Sequence, residues 1–162
     1  MDIFQFAMKM EKDGEMYYRE LSDETNHKGL KRILAMLAKE EVKHYQIIEQ
    51  MSKESGNIEI VETKVLEKAK NIFVQMKKNR LDISFAAKEV DLYKKAREIE
   101  KASRVFYSEK ADEAEDERQK RLFLRLAEEE QQHEFLIENL IEFISRPDSW
   151  LENAEWNHLD AY

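Results

Sequence analysis

Apolar side chains recur along most of the chain at intervals of three and four, the period of one face of an α-helix. The first stripe runs Ile3, Ala7, Met10, Gly14, Tyr18, Leu21. It ends in the polar stretch SDETNHKG over 22–29, rich in residues that cap helices. The second runs Leu30, Leu34, Leu37, His44, Ile48, Met51, with Ser55-Gly56-Asn57 as its expected end. Val65, Leu66, Ala69, Ile72, Phe73 and Met76 mark a shorter helix. Two further long stripes follow: Leu92, Ala96, Ile99, Ser103, Phe106, Tyr107, and then Leu122, Leu126, Glu130, His133, Ile137, Leu140, Ile144. Arg146-Pro147 is expected to stop the last one. The pattern predicts helices over roughly 2–22, 28–54, 63–79, 84–111 and 116–145, with a tail over 147–162, all in a single domain over 1–162. Four long helices with polar outer faces predict an all-α four-helix bundle. Short links make two antiparallel hairpins. The long middle segment, with its short helix, is expected to cross the length of the bundle, and the tail to add a short C-terminal helix.

The stripes contain residues that an apolar core excludes, and an internal repeat places them. Ala7, Glu11 and Tyr18 correspond to Ala96, Glu100 and Tyr107, each pair 89 residues apart. The same offset relates Leu37, Glu41 and His44 to Leu126, Glu130 and His133, so LAKEEVKH and LAEEEQQH are copies. At 1.5 Å per residue, the glutamates of each hairpin lie nearly level on either side of its turn. Buried ionised carboxylates cost several kcal/mol each without a counter-charge. Two divalent cations would balance four of them. One Glu from each of two helices, with Glu-x-x-His from each of the other two, is a di-metal carboxylate pattern. The donor set suits iron or manganese and does not exclude zinc.

Neighbouring residues carry weaker signals. Tyr18 and Tyr107 lie two turns beyond Glu11 and Glu100, where each hydroxyl either hydrogen-bonds a ligand or packs in the core. Gly14 and Ser103 either leave room for a small oxidant or let helices approach closely. Glu40 and Glu129, next to Glu41 and Glu130, either orient a histidine or belong to a solvated face, and read as the latter. His27 and His158 also follow a glutamate by three residues but lie off the core stripes, and read as surface residues.

Composition narrows the field further. The chain has no cysteine, three glycines, one proline and a net charge of −8 over 162 residues. That rules out thiolate metal sites and disulfides, and argues against a many-stranded β fold and against generic nucleic-acid binding. No apolar run approaches a membrane span, and MDIFQFAMKMEKD lacks the features of a secretory signal, so a cytoplasmic location is expected.

The motifs EKDGEMYY (11–18), LAKEEVKH (37–44), EKASRVFY (100–107) and LAEEEQQH (126–133) resemble the rubrerythrin branch of the ferritin-like superfamily, over roughly residues 1–145. The resemblance implies terminal ligands at Glu11 and Glu100, bridging carboxylates at Glu41 and Glu130, and imidazole ligands at His44 and His133. It implies two iron ions and the reduction of peroxide or dioxygen, in an oxidative-stress or iron-handling role. Two departures stand out. Full-length rubrerythrins carry a cysteine-bound rubredoxin-like iron site, and here an external electron donor such as a rubredoxin-like protein is expected instead. Rubrerythrins also carry an extra Glu three residues after the third-helix ligand, where this chain has Ser103. That puts their carboxylate/histidine switching in question and makes the site more similar to that of bacterioferritin. Ferroxidase-type storage in an oligomer and a metal-stabilised structural bundle are the alternatives. The Trp-rich tail offers apolar contact surface, so a homodimer is expected.

Overall fold

The two hairpins form from local signals, with α1, α2 and α5 each starting at a side chain that accepts from a free amide of its first turn. The computed structural model describes residues 2–53, 63–78 and 85–152. Helix α1 spans Ile3–Glu24, opened by Asp2, whose carboxylate accepts from the Gln5 amide at 2.8 Å while the Gln5 side chain accepts from the Asp2 amide at 3.1 Å. Helix α2, Lys28–Ser52, is capped by His27, whose Nδ1 accepts from the Leu30 amide at 3.3 Å. Helix α3, Val65–Lys78, lies in the crossover. Helix α4, Ala87–Glu113, leads through a short turn to α5, Glu117–Ser145, which Asp116 caps. Pro147 does not simply end the chain's helical part. It takes the first position of α6, Pro147–Glu152, where its missing N–H costs nothing.

The long helices pair α1 with α2 and α4 with α5, while α3 lies against α2 and α5. This is an all-α, ferritin-like bundle with one long crossover, as the stripes predict. The expected end of α2 at Ser55-Gly56-Asn57 lies outside the described residues, and the last described cap is Lys53. A Cβ on Gly29 would run into Met76, so α3 crosses the start of α2 over a glycine.

Two apolar clusters fill the interior. One gathers Leu30, Ile33, Leu34, Phe73, Leu140 and Phe143, and the other gathers Ala7, Ile48, Tyr107, Phe123 and Leu126. Trp150 of the tail belongs to the first cluster, with its ring 4.5 Å from that of Phe73 and 5.8 Å from that of Phe143. Pairs of this kind contribute about 0.5–1.5 kcal/mol beyond area burial. One tryptophan of the tail is thus taken up by the bundle itself and offers no contact surface to a partner. Trp156 and His158 lie outside the described residues. Among the described residues, no helix is long and apolar enough to cross a membrane.

Candidate metal centre

Between the two clusters lies a polar layer. Glu11 of α1, Glu41 and His44 of α2, Glu100 of α4, and Glu130 and His133 of α5 are all buried, with no side chain more than a few per cent exposed. Each sits on the inner stripe of its helix, and the i, i+3 spacing of Glu-x-x-His puts both side chains of a pair on one face. Donor atoms of Glu41, Glu100, Glu130 and His133 all fall within 4.8 Å of one another, as do those of Glu11, His44 and Glu130. Glu130 belongs to both groups and Glu41 to one. The two imidazole rings stack across the layer, 5.5 Å apart and 9° from parallel.

The layer is short of protons to share. Glu11 Oε2, Glu41 Oε1, Glu100 Oε2, Glu130 Oε2 and both ring nitrogens of His133 have no hydrogen-bond partner. Buried polar atoms are normally satisfied, and each one left unmet costs about 1–3 kcal/mol. Here the orphans converge on one place, they are oxygen and imidazole donors, and every one of the four carboxylates contributes one. That donor set fits a pair of divalent cations.

Electrostatics point the same way. Glu11 is held low despite its burial, first by His44 and then by hydrogen bonds with Glu41, His44 and Tyr107. Glu100, also against burial, is lowered to about 2 by a hydrogen bond with Glu130 and by His133. Burial and then Glu11 push Glu41 well above the carboxylate range, and burial and then Glu100 do the same to Glu130. Burial alone would depress both imidazoles. Glu11 overrides it and raises His44 well above its ordinary value, and Glu100 raises His133 to about 10. The cluster therefore holds Glu11 and Glu100 toward the carboxylate form, pushes Glu41 and Glu130 toward the neutral form and draws both imidazoles toward the charged form, a proton-holding arrangement that bound dications would displace.

The surrounding side chains cross between hairpins. The Tyr18 hydroxyl donates to Glu100 Oε1, and Tyr107 donates to Glu11 Oε1 at 2.5 Å. Each tyrosine thus holds the glutamate of the other repeat rather than the one on its own helix. Burial and then the bonded glutamate push both phenols well above their ordinary value, so they remain donors at neutral pH. His44 donates from Nδ1 to Glu130 Oε1 and from Nε2 to Glu129 Oε1, both at 2.8 Å.

Glu129 and Glu40 do not form the solvated faces that the sequence suggests. Glu129 is 1% exposed and lies against His44, and Lys43 and Arg125 each approach it to 3.8 Å. Glu40 is half-buried. It accepts from the Thr63 hydroxyl, lies 3.9 Å from His133 Nε2 and is lowered to about 2 against its burial, first by His133 and then by the hydrogen bond from Thr63. The 89-residue repeat contains this pair too. Adjacency to Glu-x-x-His was the signal available in the sequence. His27, expected at the surface, is half-buried. It caps α2, and its ring packs 5.9 Å from those of Phe85 and Phe143. Ser103 turns its hydroxyl to Ile99 O at 3.1 Å, on its own helix.

Compared with known proteins, the chain matches a family model described as Rubrerythrin over residues 2–141. No curated protein and no solved structure matches it.

Proposed function

The chain belongs to the rubrerythrin family, and from that premise we propose that it holds two iron ions in the polar layer and reduces peroxide or dioxygen with electrons from an external donor. The observation that carries this reading is the convergence of orphaned oxygen and imidazole atoms from four helices on one buried place. Glu41, Glu100, Glu130 and His133 would hold one ion, and Glu11, His44 and Glu130 the other. When bound, the metal pair supplies two electrons and Lewis acidity to an O–O bond.

The protein's own part is to place and orient. Tyr107 and Tyr18 each take one oxygen of Glu11 or Glu100, which aims the other oxygen of each carboxylate inward. Glu129 accepts the Nε2 proton of His44, which leaves Nδ1 facing the layer once that imidazole is neutral. Glu40 faces the Nε2 of His133 from 3.9 Å, without a hydrogen bond. The two apolar clusters exclude bulk water on either side and strengthen every charge interaction within. The chain brings no cysteine for an electron relay, so the donor is a separate one-electron carrier, such as a rubredoxin-like protein.

The test is anaerobic loading with Fe(II) followed by hydrogen peroxide. The expected result is rapid oxidation of two Fe(II) per peroxide, lost in Glu41→Ala and Glu130→Ala. Unchanged reaction in both variants, or a wild-type rate no faster than that of Fe(II) in buffer, would overturn the reading.

A further inference from the structure

Helix α1 carries a buried glycine near its midpoint, although glycine is among the poorest helix formers. Neither a turn nor unusual backbone geometry accounts for it, since the helix runs unbroken from Ile3 to Glu24. The explanation lies across the bundle. A Cβ built on Gly14 would stand 2.8 Å from Glu41 Oε2 and 3.3 Å from its Cδ. Real Cβ atoms do not approach oxygen that closely, so the Glu41 carboxylate occupies the space a side chain would need. The repeat supplies a contrast. The position matching Gly14 is Ser103, which does carry a Cβ and turns its hydroxyl to Ile99 O of its own helix. Glu130 instead lies 2.8 Å from His44 Nδ1 and belongs to both donor groups, whereas Glu41 belongs to one.

We propose that Gly14 is a positioning residue: its bare α carbon seats the Glu41 carboxylate and thereby fixes the group of Glu41, Glu100, Glu130 and His133, while the group of Glu11, His44 and Glu130 does not depend on it. The proposal rests on the two-metal reading above and makes the two sites unequal in a stated way. A side chain at position 14 pushes Glu41 off α1. The displaced atoms are the far end of a flexible side chain, so the fold accommodates the change while the donor geometry does not.

The experiment is titration of the full chain with Co(II), followed by calorimetry and visible absorption, in wild type, Gly14→Ala and Ser103→Ala. In Gly14→Ala one of the two Co(II) ions is expected to bind at least ~10-fold more weakly, with an altered spectrum, while the other is unchanged. The metal-free Gly14→Ala protein is expected to melt at or above the wild-type temperature, because alanine favours the helix. Ser103→Ala should leave both ions within about twofold of wild type. Unchanged binding in Gly14→Ala, equal weakening of both ions, or a metal-free variant that melts lower or does not fold would overturn the proposal. Fewer than two Co(II) in wild type would instead overturn the two-metal reading beneath it.

Discussion

The two hairpins are copies in their inner residues and different in their outer ones. Glu11, Glu41 and His44 match Glu100, Glu130 and His133, and each hairpin's tyrosine reaches the other's glutamate. Around this symmetric centre the supports diverge. Glu129 is buried against His44, while the Glu40 side chain is 15% exposed and accepts from Thr63 of the crossover. Gly14 admits Glu41, while the matching position on α4 carries a side chain, Ser103. The crossover is one physical source of the difference. Thr63 of the crossover, just before α3, lies outside the repeat, and among the described residues the α2 side alone receives a hydroxyl of this kind, at Glu40. Duplication thus fixes the ligand set, and the single connection between the copies breaks its symmetry.

The largest test of this inequality is removal of the shared carboxylate. Glu130→Ala should abolish tight binding of both metals, because Glu130 belongs to both donor groups, whereas Glu41→Ala should spare one ion. Metal stoichiometry after dialysis distinguishes them. Equal loss in the two variants would restore full symmetry.

Next in size is the pH dependence of the metal-free fold. His133 is raised from 6.5 to about 10, so the native state binds more protons than the unfolded chain in that interval. Its stabilisation is complete below pH 6.5 and disappears as pH rises through 10. His44, Glu41 and Glu130 are also raised and act in the same sense, the two carboxyls from 4.5 upward. Glu100, lowered to about 2, and Glu11 act oppositely: their contribution is present above 4.5 and lost as pH falls toward 2. The metal-free melting temperature should therefore fall by roughly 10 °C or more between pH 6.5 and 9, at about 2–4 °C per kcal/mol. Bound metal should remove most of that fall, since the ligands are then unprotonated in the native state. Thermal melts with and without Zn(II) check this.

A smaller effect separates the outer carboxylates. Glu129→Gln should weaken the ion at His44 by ~10–100-fold, and Glu40→Gln should weaken the ion at His133 by less, because Glu40 is partly solvated. The smallest effect is expected from Tyr18→Phe and Tyr107→Phe, each costing roughly tenfold or less, and by similar amounts. A large difference between the two tyrosines would show that the asymmetry reaches the centre of the layer.

The stripes were sufficient to read the bundle, the crossover and the six inner residues, because a core that repeats charged residues at a fixed offset leaves few explanations. The outer layer was less legible. Glu129 precedes Glu130 and lies about 100° off the inner stripe, a position that reads as solvent-facing on an isolated helix. His44 and Lys43 approach it from α2, and that is a tertiary fact. The crossed tyrosines escaped for the same reason, since spacing along one helix points each of them toward its own glutamate. Gly14 was visible as a small residue, but its occupant, Glu41, comes from another helix. Trp150 looked like contact surface because the cage formed by Phe73 and Phe143 is assembled from two different helices.

The central claim is that this layer exchanges protons for a pair of metal ions. The direct measurement is a Zn(II) titration of the metal-free chain near neutral pH, by calorimetry in buffers of differing ionisation enthalpy, counting metals bound and protons released together. Two ions per chain are expected, bound with release of protons from the groups that burial and neighbouring charges hold up, His44, His133, Glu41 and Glu130. One ion or none, or two ions bound without proton release, would contradict it.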